Sequence, residues 1–402
     1  MQLGDPEISK QKLKQATQYM TEDGIDTWLI LTREGTDPSC PLLISIRSVH
    51  LAAVFIRADG KHKVLTSASD FGNYESIGLF DEVIQYESSI ESDFQQLFNS
   101  LGIKKLALNI SETDHLCDGL TAGLFEWLQD TIGHEQLDSV MISSEPLLKQ
   151  IRSIKSDKEL VLIEEAVRLT DEIYETVFTK IGPGMTEIEM GQLFVEEMKK
   201  NGVSNGLGNA FDPPMVCCVR NGLAHRKPAD FVILPGDIVI FDFSLKYQNY
   251  VSDIARTVYF LKPDEDEAPH DIQHAFDTAK KAIHTTINSM KIGQKGYEVD
   301  SVGRKVIEEG GYPTIRHSVG HQVGRDTHDG GTILGPQRTP KRPQVEGKLQ
   351  MDEIYAIEPT VIQDNGLPCI LVEENLVMTT SGARLLSRPQ LELILVGSER
   401  AG

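Results

Sequence analysis

The sequence predicts an α/β domain over residues 1–150, followed by an α+β domain over 151–402 that carries an internal duplication. Three observations predict it. Short apolar β runs alternate with helical segments up to about residue 150. Two capped amphipathic helices then open a new section. The pattern of that section, helix, helix and β-hairpin, returns a second time.

A chain of 402 residues is long enough for two domains, each with a core of its own. Its apolar and charged fractions, 40% and 25%, are those of an ordinary soluble globular protein. The formal charge of −21 argues against nucleic acid or an anionic membrane surface as partner, because both need a basic footprint. The opening residues Met1 to Glu7 lack a basic region and an apolar run, so no secretory signal is expected. No apolar stretch approaches the length of a membrane span. The 5 cysteines include the neighbours Cys217 and Cys218 but no Cys-x-x-Cys. That suits buried thiols in a reducing cytoplasm better than disulfides or a cysteine-based zinc site.

Along the first domain, Ile8 to Asp23 reads as a helix and Thr27 to Leu31 as a strand. Leu51–Ala58, Lys63–Thr66 and Leu106–Ile110 are further β runs, and Leu116–Thr131 is again helical. No phosphate-binding glycine loop occurs among them. In the second domain, Ser156-Asp157-Lys158-Glu159 is a capping box that starts a helix to about Lys180. Thr186-Glu187-Ile188-Glu189 has the same form and starts a helix that Gly202 ends.

The duplication is legible in short echoes. Lys180-Ile181-Gly182 returns as Lys291-Ile292-Gly293, and at the same offset Glu187-Ile188-Glu189 meets Glu298-Val299-Asp300. Pro235-Gly236-Asp237-Ile238 introduces a strand carrying Asp242, and Met351-Asp352-Glu353-Ile354 a strand ending in Glu358. The first hairpin turns at Lys246-Tyr247-Gln248-Asn249 and brings Asp253 on its second strand; the other turns at Asp364-Asn365-Gly366 and brings Glu373 and Glu374. Period-two alternation puts Asp242 on the face of Ile238 and Ile240, where a charge is costly unless paired or bound to a metal. Singly, an Asp on a strand or a lone His is more commonly a hydrogen-bonded residue than a ligand. Together, two facing hairpins gather four carboxylates. With an imidazole from the Gly- and His-rich stretch His317 to Asp329, these can hold two divalent cations about 3.5–4 Å apart.

Asp242, Asp253 in Ser-Asp-Ile-Ala-Arg-Thr, the His321 stretch, Glu358-Pro359 and Glu373 together resemble the metallopeptidases of the pita-bread fold. These include Xaa-Pro aminopeptidases, Xaa-Pro dipeptidases and methionine aminopeptidases. The resemblance covers roughly residues 150–390, and the preceding α/β domain is similar to that of the Xaa-Pro branch and of creatinase. It implies that Asp242 chelates one metal, that Asp253 and Glu373 bridge both, and that His321 and Glu358 complete the ligands of the second metal. It implies substrate contacts for His225, His328 and, less directly, His317, with Glu358 exchanging the proton of a metal-bridging hydroxide. Glu373 rather than Glu374 matches the bridging glutamate, and adjacent strand residues face opposite ways. The implied activity is hydrolysis of Xaa-Pro peptide bonds by a cytoplasmic homodimer, with Mn²⁺ the best-suited ion and Co²⁺ or Zn²⁺ compatible. Ser244, Asn249, Thr360 and Leu371 depart from the family pattern, as does the insert Gln337 to Pro343. These bear on substrate, so a lyase or amidohydrolase of the same fold, or a non-catalytic binding module, stays open.

Overall fold

Asp5 accepts a hydrogen bond from Glu7 N and Pro6 sits in the first turn, which starts α1 (Pro6–Glu22) in a computed structural model of the chain. The structure describes residues 3–222, 226–338, 342–363 and 368–397. It divides into two compact units, Met1–Arg152 and Ser153–Gly402. Among the described residues no helix is long and apolar enough to cross a membrane.

The first unit continues with β1 (Thr27–Thr32), α2 (Cys40–Leu43), β2 (Ala52–Arg57), β3 (Lys63–Ser67), α3 (Ala68–Ile77) and β4 (Glu82–Tyr86). Then come α4 (Glu91–Ser100), β5 (Leu106–Leu108), α5 (Ala122–Ile132), α6 (His134–Val140), β6 (Met141–Ser143) and α7 (Glu145–Ser153). The strands form one mixed sheet in the order β4-β3-β2-β1-β5-β6. Its central strand β1 is buried along its whole length, as expected for a strand covered on both faces. The helix expected from Leu116 starts only at Ala122. Gly119 N and Leu120 N both donate to Asn109 O, which holds that segment against the end of β5, and Thr121 caps the helix through Leu124 N.

The second unit opens with α8 (Asp157–Phe178) and α9 (Glu187–Asn201), each begun by a glutamate that reaches back to the cap: Glu159 to Ser156 N and Glu189 to Thr186 N. β7 (Ser204–Asn205), β8 (Met215–Cys218), β9 (Ile238–Phe243), β10 (Leu245–Tyr247), β11 (Tyr250–Val251) and β12 (Ile254–Phe260) follow. After α10 (His270–Ser289) and α11 (Gly296–Glu309) come β13 (Gly320–Gln322), β14 (Ile354–Ile357), β15 (Glu374–Thr379), β16 (Gly382–Leu385) and β17 (Ile394–Val396). One sheet runs β17-β12-β9-β8, another β13-β14-β15-β16, and β7, β10 and β11 make a third. The expected four-residue turn is narrower than its sequence suggested. Lys246 and Tyr247 pair with Val251 and Tyr250, leaving Gln248 and Asn249, both at positive φ, as a two-residue turn.

The same backbone contacts occur in both halves of this unit. Gly184 N donates to Ile233 O and Ile233 N to Met185 O; Gly293 N donates to Leu349 O and Leu349 N to Gln294 O. Asp237 accepts from Leu234 N, and Glu353 from Gln350 N. Glu298 reaches back to Lys295 N as Glu189 does to Thr186 N.

α8 holds the first hairpin through Thr170 on Ser252, Glu159 on Tyr250 and the hydroxyl of Tyr174. Tyr174, buried, donates towards Ile254 O at 2.7 Å and lies 3.1 Å from Phe241 O, touching both β9 and β12. Tyr174→Phe leaves both buried carbonyls without that partner. We expect a loss of about 1–3 kcal/mol in urea denaturation; an unchanged midpoint would contradict this role.

Candidate metal centre

The two hairpins are stitched to each other along β12 and residues 371–375. Asn375 is a fork: its Oδ1 accepts from Asp253 N at 2.9 Å and its Nδ2 donates to Asp253 O at 2.8 Å. Glu373 N donates to Ala255 O, and Thr257 Oγ1 donates to Leu371 O at 2.6 Å. This seam sets Asp253 and Glu373 side by side. Ser244 Oγ donates to Asp253 Oδ1 at 2.6 Å, and Arg256 Nη1 to Glu373 O at 2.8 Å.

His321 enters from β13, opposite Ala356 of β14, and Glu358 follows that strand with its N–H on Val319 O. His321 Nε2 lies 3.5 Å from Asp253 Oδ2, 3.9 Å from Glu358 Oε1 and 4.0 Å from Glu373 Oε1. These separations are too long for hydrogen bonds, yet one ligand atom from each of Asp253, His321 and Glu373 lies within 4.8 Å of the others. The atoms ring a common space. His321 Nδ1 faces Gln322 O at 3.3 Å, which favours the proton on Nδ1 and leaves the Nε2 lone pair towards the carboxylates. Carboxylate oxygens with one imidazole nitrogen are a donor set for a divalent first-row cation, so the residues present fit such an ion.

Asp242 of β9 lies opposite both Ala255 and Met215. Asp253 is two residues nearer the turn than Ala255, whereas Glu358 and Glu373 are each one step beyond the paired Ile357 and Glu374. The two hairpins therefore supply their carboxylates from different register positions. Three of the four carboxylates sit just outside their strands, where the ladder ends: Asp253 before β12, Glu358 after β14 and Glu373 before β15. Glu374 points elsewhere, to Arg256 Nη2 at 3.1 Å, Ser387 Oγ at 2.5 Å and Gln390 N at 3.0 Å. His317 Nδ1 is 3.9 Å from Glu358 Oε1, and the exposed His328 ring is 4.5 Å from that of His321. His225 lies outside the described residues, as do the turn residues Asp364 to Gly366. Asn375, which holds Asp253 in place, carried no signal in the sequence, and the motif around Asp253 and the departure at Ser244 did not disclose that Arg256 and Ser244 hold carboxylates.

Burial sets the charge state of this group. It pushes Asp253 up to about 7, against the opposing hydrogen bond from Ser244. Glu358 and Glu373 are raised well above the carboxylate range, first by burial and then by the charges of Asp253 and Asp242. Arg256 pulls Glu373 the other way, less strongly. Burial lowers His321 to about 4, so its imidazole is neutral near neutral pH. Buried acids raised in this way beside a neutral imidazole are a pattern common at functional sites.

A family model for metallopeptidase family M24 matches residues 161–380. The chain is 26% identical over 399 residues to an Xaa-Pro dipeptidase of Pyrococcus horikoshii, covering 96% of this chain and 100% of that protein. It is similar in fold to an Xaa-Pro dipeptidase from Bacillus anthracis, with a TM-score of 0.75 and 24% identity, over 96% of this chain and 100% of that one. An X-Pro aminopeptidase from Thermotoga maritima matches with a TM-score of 0.73 and 23% identity, over 93% and 98% of the two chains.

The electrostatics give a pH test on chelator-stripped protein. The folded state holds the protons of Asp253, Glu358 and Glu373 to higher pH than the unfolded chain, so these groups lose stability as pH rises from about 4, through about 7 for Asp253. His321 acts oppositely, losing stability as pH falls from 6.5 to about 4. Asp253→Asn removes one of the three acids and leaves the His321 contribution in place. Its stability relative to wild type should therefore increase between pH 5 and pH 8 in urea denaturation. A difference that stays constant with pH would contradict the assignment.

Proposed function

The chain belongs to metallopeptidase family M24, and we propose that it is a dinuclear metal-dependent exopeptidase that cleaves Xaa-Pro peptide bonds. The observation that carries the proposal is the convergence of Asp253, Glu358 and Glu373 on the Nε2 of His321, within 3.5–4.0 Å. In this reading Asp242 would hold one cation, Asp253 and Glu373 would serve both, and His321 and Glu358 would complete the ligands of the second cation. Mn²⁺ suits these ligands, and Co²⁺ or Zn²⁺ is compatible with them. When bound, the cations lower the pKa of a shared water from about 15.7 towards about 7 and offset charge developing on the scissile carbonyl.

The chain's own groups do the rest. Glu358 is the most open of the three carboxylates around His321, its side chain 22% exposed against 7% for Asp253 and 3% for Glu373. It takes the proton of the attacking water and passes it to the leaving amine. His328, exposed beside His321, donates to the carbonyl oxygen as it gains charge, and His225 is given the same task from its place in the sequence. His317 lines the pocket next to Glu358. The preference for proline draws support from the names of the relatives, an Xaa-Pro dipeptidase of Pyrococcus horikoshii among them. The catalytic unit is a pseudo-two-fold duplication, supported by the backbone contacts its two halves share. The protein works as a cytoplasmic homodimer. Light scattering tests the dimer, and a monomer at micromolar concentration would refute it.

A chelator should abolish hydrolysis, and Mn²⁺ or Co²⁺ should restore it. Free-amine Xaa-Pro peptides should be cleaved in preference to acetylated ones and to Xaa-Ala controls. Full activity in chelator would refute the metal reading, and equal cleavage of acetylated peptides the exopeptidase reading. Glu358→Gln should lower kcat about 10²–10⁴-fold.

The histidines should fail differently. His321→Ala should lose metal, whereas His328→Ala should keep near two metals per chain and lose about 10²–10³ in kcat. Metal analysis with steady-state kinetics decides, and metal loss confined to the His328 variant would reverse the assignment.

A further inference from the structure

Behind His328 lies an ion pair shielded from water. Lys155 Nζ is 2.9 Å from Asp329 Oδ2, with the two side chains 0% and 3% exposed. Lys155 belongs to the segment leading into α8, and its N–H donates to Asp352 O. The pair is pressed against the backbone of Gly324, where a Cβ would come within 2.0 Å of Asp329 Oδ2 and 2.8 Å of Lys155 Nζ. Gly324 O in turn accepts from Val251 N of β11 at 2.8 Å, and Asp329 N donates to Gln322 O at 3.0 Å. The loop over residues 323–329 is thus held at both ends. Gln322 follows His321 and Asp329 follows His328, and the centroids of the two imidazole rings, tilted by 59°, are 4.5 Å apart.

Stability alone gives little reason for such a pair. Desolvating two charges offsets most of their attraction, and well-packed apolar residues of the same volume often serve as well or better. What an ion pair adds is direction, because Asp329 must stay where the ammonium is. Glu353 is a second buried acid within the field of Lys155, but its Oε2 accepts from Tyr355 Oη at 2.7 Å and Gln350 N at 2.8 Å, fixed on β14 and its lead-in. Asp329 is the partner attached to the histidine loop.

We propose that Lys155 is a positioning residue for His328: through Asp329 it holds the 323–329 loop so that the His328 ring stays against His321. The proposal rests on the reading of His328 as a carbonyl contact, and its test is arranged so that the two can fail separately. Wild type, Lys155→Met, Asp329→Asn and the double variant are compared by kcat and KM on an Xaa-Pro dipeptide, metal content and urea midpoint. The His328 imidazole resonances are followed in ¹⁵N spectra of the Zn²⁺-loaded proteins and assigned with His328→Ala. Each single variant should lose about 10²-fold in kcat, the scale of a misplaced group near 1 Å, with KM and metal content little changed. The single variants should also lower the urea midpoint by leaving a buried charge without its partner. The double variant should recover the midpoint, because no charge is orphaned, while keeping the low kcat and the shifted His328 resonance. Recovery of kcat together with the midpoint would overturn the proposal, as would a His328 resonance that stays put in all three variants. If His328→Ala keeps wild-type turnover, the reading of His328 falls, and the resonance decides the positioning role by itself.

Discussion

Everything around the candidate centre answers one electrostatic constraint: acids crowded into a buried space repel one another and resist ionisation. Asp253, Glu358 and Glu373 are all raised by burial, and the latter two also by neighbouring charge. A chain that merely collapsed would turn such groups outwards. They stay because their backbones are held: Asp253 by both ends of the Asn375 amide, Glu373 through its N–H on Ala255 O and its carbonyl on Arg256. The side-chain oxygens are left facing His321. Glu374 shows the alternative outcome, since a carboxylate one residue along has Arg256, Ser387 and Gln390 as partners and no need of a cation.

The position of the acids at strand ends has a physical reason. Inside a ladder the backbone groups are committed to neighbouring strands and the side chains to the faces of the sheet. Just beyond the ladder the chain can bend a carboxylate towards a shared point without losing a hydrogen bond. The sheets themselves are held rigid by contacts made twice over, such as Gly236 N on Phe260 O with Phe260 N on Asp237 O, and Asp352 N on Met378 O with Met378 N on Glu353 O. Similar backbone contacts with different side chains give a site that is asymmetric inside a regular scaffold. Ala255 and Glu373 illustrate it: hydrogen-bonded neighbours across the seam, one mute and the other a carboxylate at the centre.

Much of the fold was legible locally because its signals are local. Capping glutamates at Glu159 and Glu189 and the terminal Gly202 act within one helical turn of where they stand. The start of α5 was not legible, because what keeps residues 116–121 out of the helix is a bond to Asn109, on a different element. The width of the turn after β10 is not legible for a similar reason. Gln248 and Asn249 can each adopt positive φ, but only the pairing of Tyr247 with Tyr250 obliges both to do so.

The sequence by itself singled out which residues are candidates for the chemistry. An acid on an apolar strand, a histidine among glycines and a second acid-bearing hairpin are matters of residue type and order, and Asp242, Asp253, His321, Glu358 and Glu373 are readable as a set. It determined too that Glu373 and Glu374 face apart, because strand geometry alternates. Only the tertiary structure decided that Asp253, His321, Glu358 and Glu373 meet at one point. It decided also that Asn375 and Arg256 hold two of them, and that Lys155 lies against the loop of His328. Those contacts join residues up to 174 positions apart, and the separation carries no periodicity, cap or turn to announce it. They exist only where segments distant in the chain are packed together, and the chain records that place nowhere but in its folded form.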